Sequence, residues 1–505
     1  MEAVLYPVND FGPVMKGLAI GGLGIFHVFT AHFAIGGGML LCYFQWLAMN
    51  QQDGPVRRFL DGYFRYLVLI SFVTGALTGV GMWFTSIQVS PQTIGLMIDE
   101  FHWLWAIEWT FFCLEVVAGY AAFRYGSQLT VRARLILLAL YSFAAWMSLF
   151  WINGILSFQL TPGAWLESKS LLAAFFNPTF FPSLVYRTIA ALVIAGLIAM
   201  VLINLVPGFT RPERETLIQY SAHLIAPMAL MPFVGVWFIW AMPADSREWI
   251  MGGSVAMTLM LHIAIGASTL VGGYVLIAIL RQKQYVNGAT ATVLCVLAFA
   301  ATAGGEFVRE GVRKPFTLRE VLYSNSIRPE QVAELRKTGL TAKDPYPLRQ
   351  ADQLPQVNGA PQAILLCGPL VFRQQCSICH TLHGVNSLPG LTRSWDTDMK
   401  RQNFAKLQLL KPFMPPFAGT PEELESLVQY ISWEEANRPA HWPTTGEFSP
   451  AAQAENLARI EAWLAAAGTK PALHRTRTEN EARCWIPHSP WAFPSPPRST
   501  SSGTY

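Results

Sequence analysis

Apolar stretches of about 20 residues, the length a helix needs to cross the hydrocarbon core of a bilayer, recur through the first 310 positions with short polar breaks between them. The pattern predicts eight membrane-crossing helices, near residues 17–48, 64–88, 101–123, 135–158, 184–207, 221–242, 251–280 and 286–306. Basic residues alternate between the breaks. Arg57, Arg58 and Arg65 follow the first helix, Arg124, Arg132 and Arg134 the third, Arg211 and Arg214 the fifth, and Arg281 and Lys283 the seventh. The other three turns offer only Lys169 and Arg247. The positive-inside bias therefore puts the odd-to-even turns in the cytoplasm and both chain ends outside. Beyond Pro315 the pattern changes: charged and Pro-containing segments predict a linker over residues 316–360, then a small helical domain over 361–468. Residues 469–505 are rich in Pro, Ser and Thr with no helical period, which predicts a disordered tail. The expected fold is all-α, a polytopic bundle over residues 1–315 with a small all-α domain attached on its outer side. The first fifteen residues carry neither a basic stretch nor a small-residue cleavage site, and read as a lead-in to the first span.

Composition agrees with a lipid bilayer as the surroundings, since only 13% of residues are charged and 52% are hydrophobic, against about 25% charged in soluble domains. A formal charge of +4 is too small to point to nucleic acid. Of the seven cysteines, Cys42, Cys113 and Cys295 lie inside apolar runs, where a thiol acts as a small hydrophobe. Cys376 and Cys379 differ. They begin the sequence CSICH, in which two thiols can attach to the vinyl groups of a haem while the adjacent His380 binds its iron. A zinc site would need a second CxxC or a pair of histidines, and a thiol redox motif would need a βαβ setting; neither follows. The expected cofactor of the C-terminal domain is covalent haem c.

Ionisable groups inside the membrane are few, and each costs roughly 3 kcal/mol or more at the bilayer centre unless it is used. Glu108 and Glu115 in AIEWTFFCLEV are seven residues apart, hence only about 20° apart around a helix, with Glu115 roughly 10 Å deeper. Such a pair suits a proton path or a haem edge. His27 and His32 in the first helix point about 140° apart, so they do not share one ligand: one is expected to bind iron and the other a hydrogen-bond partner. The neighbouring Gly36–Gly38 run admits a bulky partner or another helix. Glu306 and Glu310 lie one turn apart at the end of the eighth helix, where a solvated helix end is the plainer reading.

Two resemblances organise these residues. KPFMPPFAGTPEELESLVQYI resembles the distal loop and last helix of class I cytochromes c, which implies Met414 as the second iron ligand of haem c, with Met399 as its competitor. HVFTAHFAIGGGMLL, FVTGALTGVGMWF, AIEWTFFCLEV, SLFWINGILSFQLTP and GEFVREGVRKPF, in this order over residues 11–316, resemble subunit I of the cytochrome bd oxidase family. That resemblance implies haem b, haem d or both in the bundle, with His27 and Glu310 as iron ligands and Glu108 and Glu115 flanking the high-spin haems.

The chain also departs from that family. MPADSREW stands where a long quinol-binding loop is expected, and Arg187 and Ala264 stand where the low-spin haem b would have its His and Met ligands. His262 is close enough to substitute, with His223 as a partner, and Glu306 replaces the Trp of the family's GWxxxExGRQPW pattern. Together the resemblances imply a terminal oxidase of the bacterial cytoplasmic membrane. Electrons from a periplasmic cytochrome c or similar donor would enter through haem c, dioxygen would be reduced in the bundle, Glu115 would relay protons, and room is left for a second membrane subunit. The alternatives are a non-catalytic electron conduit between a quinone pool and cytochrome c, and a structural subunit with vestigial sites.

Overall fold

The computed structural model describes residues 11–49, 54–341, 367–439, 442 and 449–471. Among these, eight helices are long and apolar enough to cross a membrane: α1 (Lys16–Ala48), α2 (Pro55–Val89), α3 (Pro91–Tyr125), α4 (Val131–Ser157), α5 (Phe180–Leu205), α6 (Arg211–Ala241), α7 (Val255–Arg281) and α8 (Gly288–Gly311). Helices α2 and α6 start well before the apolar windows at 64 and 221, because charged first turns extend them past the hydrocarbon. Each has a proline in its opening turn, where the missing N–H is not needed. Ion pairs tie these turns together: Arg58 meets Glu213 at 2.5 Å and Arg134 meets Asp61 at 2.7 Å.

Helix α1 forms the axis of the bundle, and its glycine run explains why. A Cβ on Gly36 would lie 1.9 Å from the Ala191 carbonyl oxygen of α5, one on Gly37 2.5 Å from Leu67 of α2, and one on Gly38 2.8 Å from Tyr141 of α4. The backbones of α5 and α4 thus approach α1 closely at Gly36 and Gly38, and the Leu67 side chain of α2 packs on Gly37, the packing that small residues permit in membranes. Phe33, Leu40, Leu41 and Phe44 of α1 are fully buried beside Tyr63 and Met200.

The segment expected to be a linker is folded over residues 316–341. A two-stranded hairpin, β1 (Phe316–Leu318) and β2 (Leu322–Tyr323), leads to a short helix α9 (Val332–Thr338). A register irregularity lies between Phe316 and Leu318, and the two residues serve different cores. Phe316 stacks on Tyr323 within the core of the C-terminal domain, whereas Leu318 and Leu322 pack with Phe158 and Trp165 of the bundle. The rest of that expected linker, 342–360, lies outside the described residues, as does most of the expected tail.

The C-terminal domain is built from α10 (Thr397–Ala405), α11 (Pro421–Glu435) and α12 (Pro450–Ala467), around Phe372, Phe404, Phe417, Leu427 and Ile460. Arg401 of α10 holds Glu425 of α11 through two bonds of 2.7 and 2.8 Å. Arg336 of α9 donates to the carbonyls of Phe417, Leu464 and Gly468 at 2.9, 2.8 and 3.0 Å. Glu423 of α11 accepts from the backbone N–H groups of Leu340 and Thr341 at 2.8 and 2.7 Å. Residues 327–341 therefore pack into the C-terminal domain, and the hairpin before them is shared between that domain and the bundle.

Candidate functional site

The CSICH turn is prepared for a covalent porphyrin. The Cys379 and His380 amides both donate to the Cys376 carbonyl, at 3.1 and 3.0 Å, so one tight turn gathers both thiols and the imidazole. Neither Cys376 nor Cys379 is in a disulfide, and burial pushes the Cys376 thiol up to about 12. The His380 Nδ1 donates to the Asn386 carbonyl at 3.2 Å, which fixes the ring and leaves Nε2 for a metal, the arrangement usual for ligating histidines. Burial lowers the His380 pKa, favouring the neutral form that binds iron. These residues fit a haem c.

The methionine loop is bonded to this turn. Gln375, one residue before Cys376, donates to the Pro416 carbonyl at 3.1 Å and accepts from the Ala418 amide at 3.3 Å. Met414 lies half-buried at the head of that loop, its amide bonded to the Lys411 carbonyl at 2.8 Å. Met399 stands on the first turn of α10 and is 44% exposed. Of the two methionines, only Met414 is carried by a loop fastened to the cysteine turn.

The same turn rests on the bundle. Lys16 at the start of α1 donates to Ser377, between the two cysteines, at 2.9 Å. The Val385 amide donates to the Pro13 carbonyl at 3.2 Å. Phe413, beside Met414, lies 5.8 Å from the ring of Trp249 in the turn between α6 and α7. That turn is the shortened segment Pro243–Ser254, itself tied down by Arg319 to Asp245 at 2.5 Å and by Ser246 to the Val312 carbonyl at 2.8 Å.

Inside the bundle the two histidines of α1 differ. His27 is half-buried, and its Nδ1 meets Thr78 of α2 at 3.1 Å. His32 is 5% exposed, its Nδ1 donates to the Val28 carbonyl at 2.6 Å, and its buried Nε2 has no partner. A buried acceptor left open costs about 1–3 kcal/mol, and a ring already anchored through Nδ1 is what a metal ligand needs. Nothing in the spacing of the residues distinguished this ring from His27. Glu108 accepts from Ser148 of α4 at 2.7 Å, and Glu115, deeper on the same face of α3, is buried.

The two acids of α8 are also distinct. Glu306 is 15% exposed and held between Arg187 of α5 at 3.1 Å and Arg309 at 2.7 Å. Glu310 is 42% exposed and paired with Arg313 and Lys314. His262 and His223 are both exposed, the former bonded through Nδ1 to the Thr258 carbonyl at 2.7 Å; the structure does not bring them together inside the bundle. At Ala264 the helices touch: a Cβ on Gly304 of α8 would lie 2.6 Å from the Met260 carbonyl and 3.3 Å from Ala264. Among the described residues no three His, Cys, Asp or Glu side chains gather as a metal-ion site.

Comparison with known proteins divides the chain the same way. The family model described as cytochrome c oxidase, cbb3-type, subunit III matches residues 367–431. The solved bd oxidase from Geobacillus thermodenitrificans is similar in structure, with a TM-score of 0.54 and 12% sequence identity over 60% of this chain and 88% of that one. No curated protein matches the chain. The molecule is thus a multi-pass membrane bundle with the fold of a bd oxidase chain, fused to a C-terminal cytochrome c domain.

Proposed function

We propose that the chain is a membrane haem oxidoreductase in which electrons enter through haem c and pass to a high-spin haem site in the bundle, where dioxygen is reduced. The observation that carries this reading is the seam between the CSICH turn and the outer end of α1. Lys16 touches Ser377 there, and His27 and His32 follow on the same helix about 16 and 24 Å further along at 1.5 Å per residue.

His380 and Met414 would hold the iron of haem c, with Cys376 and Cys379 as its covalent anchors. In the bundle, His32, whose Nε2 is open and whose Nδ1 is anchored on the Val28 carbonyl, would hold an iron, and His27, anchored by Thr78, takes the hydrogen-bonding role. Glu108 and Glu310 are the acids assigned to the high-spin site, a haem b or haem d, and Glu115 is the proton relay leading deeper into α3. His262, facing out of the bundle, is assigned no iron. The low-spin haem of the bd family is assigned no place here, because its two ligand positions hold Arg187, ion-paired with Glu306, and Ala264, packed at the α7–α8 contact.

The quinol loop is replaced by the Trp249 turn, over which the methionine loop lies. A periplasmic c-type cytochrome is accordingly the electron donor, and the cytoplasmic membrane of a bacterium the location. The test is oxygen uptake by the purified chain given a reduced c-type donor, together with the spectral response of the reduced protein to carbon monoxide. Uptake with a carbon monoxide shift is expected. A fully haem-loaded protein that consumes no oxygen and ignores carbon monoxide would instead be a conduit.

A further inference from the structure

At the outer end of the bundle a small pocket of about 20 Å³ opens between α4, α5, α6 and α8. Arg187, Arg309 and Arg313 line it, together with Ser157, Thr179 and Ser183. The hydroxyls are already engaged: Ser183 donates to Asn153 at 2.7 Å and Ser157 to the Gly154 carbonyl at 3.2 Å. The guanidiniums are not fully engaged. Arg187 donates one bond to Glu306 through Nη2, and Arg309 one through Nε. Arg313 gives Nη1 to Gln159 and Nη2 to Glu310, leaving a buried Nε with no acceptor. Each guanidinium carries five N–H donors, so several remain for whatever fills the space.

The charges do not balance. Arg187 and Arg309 share Glu306, while Arg313 and Lys314 share Glu310, which leaves four cations facing two carboxylates. No acidic side chain lines the cavity. Excess buried charge is costly unless it is paired, and planar guanidiniums recognise carboxylates and oxyanions through paired hydrogen bonds.

We propose that this cavity binds one small carboxylate or oxyanion, held by Arg187, Arg309 and Arg313. The anion comes either from solution on the outer face or from the carboxylate edge of a porphyrin in the bundle. The open space, about 20 Å³, suits an anion the size of formate, with acetate and phosphate as larger probes, and is too small for a bulky organic anion. This assignment does not depend on dioxygen being the electron acceptor.

The test uses the full-length purified protein in nanodiscs, titrated with formate, acetate or phosphate against gluconate at constant ionic strength, with calorimetry and thermal melting as readouts. Saturable one-to-one binding of the small anions is expected, weakened at least tenfold in Arg187→Gln and in Arg309→Lys, which keeps the charge but loses the fork, and unchanged in Arg247→Gln. If small anions do not bind, but both cavity variants shift the carboxylate bands of the bound haem in redox-difference infrared spectra, the porphyrin is the source and the site stands. Absence of both effects, or wild-type binding in Arg187→Gln and Arg309→Lys, overturns it.

Discussion

Arg336 offers the sharpest test of how the cytochrome domain is attached. Its guanidinium reaches three carbonyls, Phe417, Leu464 and Gly468, at 2.8–3.0 Å. In Arg336→Ala all three lose their donor. At about 1 kcal/mol each for a half-buried site, the loss is roughly 3 kcal/mol. A unit of about 100 residues shifts its melting temperature by some 4–8 °C per kcal/mol, so a fall of roughly 12–24 °C is expected. Phe417 follows Met414 by three residues, so the sulfur ligand should loosen as well. The assay is thermal loss of the haem c circular dichroism band in the intact protein, alongside the sulfur-to-iron charge-transfer absorption of the ferric form. Arg336→Lys should lose about two-thirds as much stability, since one ammonium cannot span three carbonyls. The neighbouring, exposed Lys337→Ala should lose nothing. If Arg336→Ala melts within about 2 °C of wild type, well under the shift expected for 1 kcal/mol, then residues 316–341 are only a tether.

His32→Ala should remove one non-covalent haem per chain, counted as pyridine haemochrome, while His27→Ala leaves the count unchanged; the opposite pattern would return the iron to His27. Met414→Ala should lower the midpoint potential of haem c and open it to carbon monoxide, and Met399→Ala should do neither, as redox titration of each variant would show. Asp398 accepts from Arg459 and from Arg401, which hold its carboxyl below the usual carboxylate range. Because the folded pKa is the depressed one, the stabilisation is complete above the unfolded value near 4 and is lost as pH falls through the folded value. Asp398→Asn should therefore flatten the acid side of the domain's stability curve by under about 1 kcal/mol, given its half exposure. Acid titrations of melting temperature that superimpose for the two proteins would count against this.

The eight spans were legible because a lipid-crossing helix advertises itself through length and apolarity alone, and CSICH because its chemistry is contained in five consecutive residues. Segment 316–341 was misleading for the opposite reason. Its Pro and charged residues look like a linker, but Phe316, Tyr323, Val332 and Leu335 are buried in a core most of whose members lie beyond residue 366. No local period announces a hairpin whose two faces belong to two different cores. The distinction between His27 and His32 was equally hidden, since it depends on which acceptor each ring meets, and Thr78 and Val28 lie on different elements. Glu306 and Glu310, one turn apart, were separated only by Arg187, which is more than a hundred residues away in sequence.

That long-range pair also connects the two departures from the bd oxidase pattern. An arginine buried at the start of α5 is untenable without an anion, and a glutamate in place of an aromatic residue on α8 is untenable without a cation. Arg187 finds its anion in Glu306 at 3.1 Å, and Glu306 is held by both Arg187 and Arg309. On the proposed function, with that ion pair and the Ala264 contact at the two ligand positions of a low-spin haem, electrons would need another way in from the outer surface. On the proposed reading it is the seam at Lys16, and the segment that would have grown into a quinol loop is free to shorten into the Trp249 turn on which Phe413 rests. The fused domain and the missing low-spin site are then two sides of one rearrangement. An Arg187→His variant would leave Glu306 paired with Arg309 of its own helix alone, and its thermal melting should fall below that of the wild type.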